Sequence, residues 1–202
     1  MTREELIEKD NTFSESQFLR ETDNVFIYVL SSVMIDDLER VKYMISEELY
    51  QKYSEELERL NSENQRHMYD EMNIKLTHIE EISEDEENLI LRVLLISSYK
   101  EYIANKTSLK YISGNKDNKI TKYNRLTFVK NKNYNSSEQK KCQYCGKENP
   151  MDATVCKKCK KEFSTNIGWI LTNIEWFNHS FLIKKERKPL LYSNHFSSKF
   201  IT

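Results

Sequence analysis

The chain has 202 residues, a formal net charge of -1, and 38% hydrophobic against 31% charged residues, enough for one well-buried domain and a small extra module. Three Gly and two Pro lie far below ordinary use and exclude collagen-like, linker-rich and low-complexity classes. No stretch approaches the roughly 18 to 20 uninterrupted apolar residues that span a membrane, and the charged start, Met1 to Asp10, lacks the apolar core of a signal peptide. Together these features predict a soluble, cytoplasmic protein. The small net charge hides a division. Residues 1–90 hold 24 Asp+Glu against 9 Lys+Arg, a balance of -15, while residues 91–202 hold 8 against 22, a balance of +14. Either the halves pack together or show solvated faces of opposite sign, or the second half shows a basic surface to anionic lipid, nucleic acid or an acidic partner.

Helices come first. Ser14-Glu15-Ser16-Gln17 fits a capping box, and Phe13 with Phe18 occupies the two positions of a hydrophobic staple. Phe18, Val25, Phe26, Val29, Leu30 and Val33 follow at helical spacing as one apolar stripe. A short helix is expected from Asp36, with Leu38, Val41 and Met44 inward, and Ser46 caps a third running through Leu49, Tyr53, Leu57 and Leu60 to about Met68. After Met72 the period changes. Ile74, Leu76 and His78 alternate with polar neighbours, Glu80 to Glu87 reads as an acidic turn, and Asn88 to Ile103 reads as a long, bent strand. Ser113-Gly114-Asn115 with Lys116 to Asn118 predicts a hairpin loop. Tyr123 to Lys130 and Gly168 to Phe177 are two further strands, and Phe181 to Ile183 begins another or an irregular tail. Helices followed by an antiparallel sheet make an α+β layer architecture.

One motif carries chemistry. Cys142-Gln143-Tyr144-Cys145 and Cys156-Lys157-Lys158-Cys159 contain all four cysteines, as two C-x2-C pairs ten residues apart. Two residues between thiolates let one turn offer both sulfurs to the same metal, and two such turns complete a tetrahedron. Gly146 suits the tight turn after the first pair, whereas Lys160 stands at the corresponding place in the second. Disulfides need an oxidising compartment, a redox C-x-x-C needs a βαβ context, and iron–sulfur centres use other spacings. The motif therefore predicts one structural Zn²⁺ held by Cys142, Cys145, Cys156 and Cys159. Four ligands close such a site and leave no position for catalysis. Residues 138–162 carry seven Lys and four acids. With a doubly negative metal–thiolate centre, that leaves too little positive charge for convincing phosphate binding.

The ribbon interrupts an expected hairpin between Phe128 and Trp169 rather than standing at an end. The chain resembles bacterial proteins of the family named for the C-terminal domain of the mitochondrial import-motor scaffold, Tim44. The resemblance rests on Thr12-Phe13-Ser14-Glu15-Ser16-Gln17-Phe18-Leu19, on Asp37-Leu38-Glu39 to Ile45-Ser46-Glu47-Glu48-Leu49-Tyr50 with Tyr53, and on Phe128-Val129-Lys130, the inserted cysteine pairs and Trp169 to Ile174. It spans roughly residues 12 to 177. It implies a variant of the nuclear transport factor two fold, a curved antiparallel sheet around helices that makes a cone with a small-molecule- or lipid-sized pocket. In the mitochondrial relatives the domain associates with the inner membrane and import partners; the scaffold part lies outside the resemblance, so motor recruitment is not implied.

The expected organisation is an N-terminal tail, 1–13, a discontinuous cone domain, 14–137 and 164–202, and an inserted ribbon, 138–163. The expected function is a non-enzymatic binding or adaptor module for a protein partner or for an apolar ligand in the cone. Phe181, Leu182 and Ile183 beside Lys184, Lys185, Arg187 and Lys188 offer a membrane-surface pattern against the simpler reading of a last strand and a frayed tail. That pattern would place the protein peripherally at the inner face of the membrane. Homodimerisation through an exposed sheet face is a further candidate. The same fold hosts isomerases and dehydratases, so a cavity enzyme is one alternative and nucleic-acid binding through the ribbon a second. No residue stands out as catalytic. His78 beside Ile74 and Leu76 reads first as a sheet residue and second as a cavity group. His67 lies near an expected helix end, His179 and His195 fall in the tail, and Asp70 and Glu71 are too close in sequence to face each other on a helix.

Overall fold

The computed structural model describes residues 1–134, 140–142, 144–150, 153, 155–161 and 168–177. The segment expected as an N-terminal tail is structured. Thr2 and Glu5 form a capping box that opens α1 (Arg3–Lys9), and Leu6 and Phe13 join the hydrophobic core. α2 (Glu15–Ile35) starts at N-cap Ser14, and the predicted staple is present, with the Phe13 and Phe18 rings 5.6 Å apart. Its stripe of Phe18, Phe26, Val29, Leu30 and Val33 is buried. The helix stops at Asp36, whose left-handed conformation (φ 59°) points its N–H back at the Ser32 and Val33 carbonyls.

Two boundaries differ from expectation. The helix predicted from Asp36 is only a 3-10 turn, Leu38–Arg40, although Leu38, Val41 and Met44 are buried as the spacing required. α3 (Glu47–Ser62) begins at Ser46, whose hydroxyl accepts from Leu49 N, but ends before the predicted Met68. Asn64, at φ 52°, breaks the helix, because Asn tolerates the left-handed region better than other side chains.

The sheet has strand order β1-β2-β3-β6, antiparallel throughout. Its strands are β1 (Gln65–Glu84), β2 (Asn88–Asn105), β3 (Tyr111–Asn131) and β6 (Ile170–Phe177). β1 thus starts several residues before the predicted change of period. The acidic turn shrinks to the residues after Glu84, where Asp85 Oδ1 accepts from the Glu87 and Asn88 backbones. The hairpin loop predicted at Ser113–Asn118 lies within β3. The chain instead reverses after Asn105, whose side chain accepts from Thr107 N and Ser108 N. Gly114 (φ 100°) serves close strand approach, since a Cβ there would lie 2.7 Å from the Glu101 carbonyl. Register shifts at Asp70/Asn73, Ile74/Leu76 and Ile79/Glu81 bend β1. Alternating Leu89, Leu91, Val93 and Leu95 of β2, with Leu126 and Phe128 of β3 and Leu171 and Ile174 of β6, face the helical core. This is the expected α+β class with N-terminal helices on a curved antiparallel sheet.

β6 joins the sheet after a long excursion, so residues on both sides of the cysteine segment belong to one core. The Leu171 N–H donates to Met44 O, and the Ser46 N–H donates to Leu171 O, tying β6 to the turn before α3 as well as to β3. Expected features in residues 178–202, including the strand or tail at Phe181–Ile183 and His179 and His195, lie outside the described residues.

Opposite charge joins the two halves of the chain. Arg125 meets Glu80, Lys106 meets Asp36, Lys132 meets Glu84 and Arg92 meets Glu81 at 2.5–2.9 Å, and Lys100 pairs with Glu71. Most are partly exposed, so solvent screens them and each contributes little. One is different. Asp10 and Lys130 are both buried, and their side chains meet at 2.7 Å while Trp169 Nε1 donates to the same carboxylate at 3.2 Å. Thr12 Oγ1 donates to the other oxygen at 2.6 Å.

Removing the carboxylate strands a buried ammonium. Asp10→Ala should therefore destabilise the fold by about 3–5 kcal/mol, whereas Lys9→Ala, which removes an exposed, solvent-screened contact to Glu84, should leave the midpoint nearly unchanged. Urea unfolding of both variants measures the difference; equal midpoints would remove the buried cluster from the account of stability.

Candidate metal centre and aromatic cleft

The two C-x2-C pairs fold as two similar turns. In the first, Cys142 O accepts from Cys145 N and Gly146 N at 3.3 and 2.8 Å, and in the second Cys156 O accepts from Lys160 N at 2.9 Å. Each turn closes on a small rung: Cys142 N donates to Lys147 O, and Cys156 N to Lys161 O. Gly146 and Lys160 hold equivalent left-handed conformations, φ 65° and 61°. The second turn therefore places a lysine where the first uses glycine. β4 (Lys140–Lys141) pairs with β5 (Glu148–Asn149) to brace the first turn. Buried Asn149 ties the turns together: its Oδ1 accepts from Lys157 N at 2.9 Å, and its Nδ2 lies 3.6 Å from Cys156 Sγ.

All four sulfurs converge. They lie within 4.8 Å of one another, with Cys142–Cys159 at 3.6 Å and Cys145–Cys156 at 3.7 Å. A regular tetrahedron with metal–sulfur bonds of about 2.3 Å has sulfur edges of about 3.8 Å, so the four residues named from the sequence fit one tetrahedral ion. Burial pushes the Cys142 thiol up to about 12. Burial acts on Cys156 in the same sense, but the N–H groups of Cys159 and Lys158 outweigh it and hold that thiol down at about 6. Such N–H donors compensate the negative sulfur that a cation needs.

The metal module is docked on the helices. A Cβ on Gly146 would lie 2.2 Å from the Tyr43 ring, so that ring lies flush against the first turn. Tyr144 meets Tyr28 edge to face at 6.1 Å, and the Lys161 ammonium lies over both rings at 4.1 and 4.8 Å. None of Tyr28, Tyr43 or Lys161 carries a local sequence signal for this role.

A second site was not legible in the sequence. A cleft of about 410 Å³ opens between α3 and the sheet, lined by Val33, Tyr53, Glu56, His67, Tyr69, Glu101 and Trp176 among others. His67, expected at a helix end, is on β1. Its Nε2 lies 3.2 Å from Glu101, its Nδ1 lies 3.1 Å from the Tyr69 hydroxyl, and the two rings stack at 4.4 Å. Lys122 holds the other Glu101 oxygen at 2.6 Å and lies 5.0 Å over Trp176. Burial alone would raise the Glu101 carboxyl, but His67 and Lys122 outweigh it and keep it below the usual range. Burial first, then the Glu101 charge, pushes the Tyr69 phenol well up, and burial raises Tyr53 to about 12. His78, the cavity candidate from the sequence, is exposed on β1 opposite Leu94. The alternation that places His67 and Tyr69 begins at Gln65, so the helix break at Asn64 was the available signal.

The model of the Tim44-like domain family matches residues 2–140 of this chain. That match starts earlier than the residues that carried the resemblance and stops just before the first cysteine, leaving the metal module and β6 outside it. Among solved structures, the chain is similar to the "Crystal structure of intermembrane space region of chloroplast protein ARC6", with 9% identity over 79% of this chain and 95% of that one, at a TM-score of 0.41. No curated protein sequence is significantly similar to it.

Backbone conformation sets a direct test of the two turns. Lys160→Gly should relax the left-handed position and stabilise the second turn by about 0.5–1 kcal/mol. Gly146→Ala should loosen the first turn by straining φ and striking Tyr43. Protease resistance around residues 142–161 reads both effects, and the opposite order would contradict the backbone assignment.

Proposed function

The chain belongs to the Tim44-like domain family, and from that premise we propose that it is a non-enzymatic binding or adaptor module stabilised by a structural Zn²⁺. The observation that carries this reading is the closed set of four sulfurs, Cys142, Cys145, Cys156 and Cys159, docked on the helical face through Tyr28, Tyr43 and Tyr144. Zinc suits a tetrahedral four-thiolate set, and such a set leaves no open coordination position for chemistry. The ion would act by closing the two turns, whose small buried surface gives them little folding energy of their own.

A role in binding rather than catalysis is supported by the cleft as well. Both ring nitrogens of His67 are engaged within the protein, one by Glu101 and one by Tyr69, as in a wall whose polar groups satisfy one another. The proposed partner is a protein. Localisation in the cytoplasm, or peripherally at the inner face of a membrane, and membership among bacterial ribbon-bearing relatives complete the reading.

Native mass spectrometry of the purified chain is expected to show one zinc per chain. Acidification protonates the thiolates, so zinc should leave as the pH falls and rebind when it is raised. Cys142→Ser should lose the metal and protease resistance around residues 142–161, yet keep most of the helical circular dichroism, because α1–α3 draw their core from other residues. A chain with two disulfides and no zinc would overturn the metal assignment and the cytoplasmic one together.

A further inference from the structure

The cleft between α3 and the sheet is walled by side chains from several rigid elements. Tyr53 comes from α3, His67 and Tyr69 from β1, Glu101 from β2 and Trp176 from β6. A concavity built on helices and strands holds its shape better than one built on loops. Its volume of about 410 Å³ falls within the roughly 300–1,000 Å³ of small-molecule sites. Trp176, 43% exposed, gives it a flat aromatic surface.

Charge in the cleft is matched within the protein. Lys52, Arg59 and Lys122 answer Glu55, Glu56 and Glu101 one for one. Arg59 meets Glu56 at 3.0 Å, and Glu101 lies between His67 and Lys122 at 3.2 and 2.6 Å. Lys122 also stands over Trp176 at 5.0 Å, where a cationic ligand would seek that ring. An anion would meet three carboxylates and a cation would compete with three cations, so the cleft suits a molecule without charge. Hydrogen bonding is not matched in the same way. Tyr53 makes no hydrogen bond among the described residues, and burial is the single influence that raises its phenol. Behind Tyr69, whose ring it meets edge to face at 5.8 Å, fully buried Tyr99 also keeps a hydroxyl without a partner. A desolvated O–H without an acceptor is unfavourable, and an oxygen on a ligand relieves it.

We propose that this cleft binds an uncharged, flat small molecule that carries a carbonyl or hydroxyl oxygen. Its ring system lies against Tyr69 and Trp176, and its oxygen accepts from the Tyr53 hydroxyl. Binding involves no chemical step. It depends on neither the zinc nor a protein partner, so each of these readings stands or falls by its own experiment.

Isothermal titration calorimetry of the full chain at neutral pH tests it with four probes on one ring system: 2-naphthol, naphthalene, 2-naphthoate and 2-naphthyl-trimethylammonium. 2-Naphthol should bind about tenfold or more tightly than the anion and the cation, because only the charged probes disturb a balanced cleft. Tyr53→Phe keeps the ring and removes the hydroxyl. It should weaken 2-naphthol about three- to tenfold and leave naphthalene unchanged. Trp176→Ala should weaken both uncharged probes. Neither substitution empties a fully buried position, so unchanged far-ultraviolet circular dichroism is expected as the check on folding. Absence of any heat with 2-naphthol up to its solubility limit overturns the proposal. Tighter binding of 2-naphthoate or of the ammonium probe overturns it in favour of a charged ligand. A 2-naphthol affinity unmoved by either substitution overturns it by placing the probe elsewhere.

Discussion

The buried carboxylate of Asp10 gathers three distant parts of the chain. It follows α1, receives the Lys130 ammonium from the end of β3, and accepts from the Trp169 indole just before β6. Lys130 and Trp169 stand on either side of the metal module, so one carboxylate holds both ends of the excursion together. The surrounding aromatic rings are organised by the same contact, with Trp169 packing on Phe13 and Phe18, and Phe18 on Phe128. A buried pair of this kind is weak as net stabilisation but severe when broken. It ties the entry of β6 to α1 and to the end of β3, alongside the β3 ladder and the Leu171 bonds to Met44 and Ser46.

The metal module and the core meet across a surface of ordinary side chains. Tyr43 lies against Gly146 while its neighbour Met44 accepts a hydrogen bond from Leu171 of β6. The turn that precedes α3 thus touches the module on one side and the sheet on the other. Closing the two cysteine turns around an ion would stiffen the position of Tyr144 and Lys161 over Tyr28, and through them the orientation of the whole insertion on α2.

Within the cleft, polar groups are arranged as a chain of contacts. Tyr69, His67, Glu101 and Lys122 follow one another in contact, and Lys122 also covers part of Trp176. Each group answers the hydrogen-bonding need of the next, as a low-dielectric wall requires. What the wall leaves open is aromatic surface, with Trp176 43% exposed.

Local chemistry made much of this protein legible in the sequence. The convergence of Cys142, Cys145, Cys156 and Cys159 on one candidate metal site was readable from spacing alone, because two residues between thiolates set the geometry of one turn. The Phe13–Phe18 staple, the stripe on α2 and the Ser46 cap were readable because each depends on residues within one or two helical turns. The opposite charges of the two halves raised packing of the halves on each other as one reading, and ion pairs such as Glu80–Arg125 and Asp36–Lys106 realise it. Other features depended on tertiary contact. The hairpin at Ser113–Asn118 looked like a loop because Gly114 promises a turn, yet that glycine answers the close approach of Glu101 and Tyr102 from β2. Residues 1–13 looked like a tail because a seven-residue helix is marginal alone; burial of Leu6 and the Asp10 contact gave it a reason to form. His67, Glu101 and Trp176 come from three strands, and only strand order and register bring them to one cleft, which no local period could report.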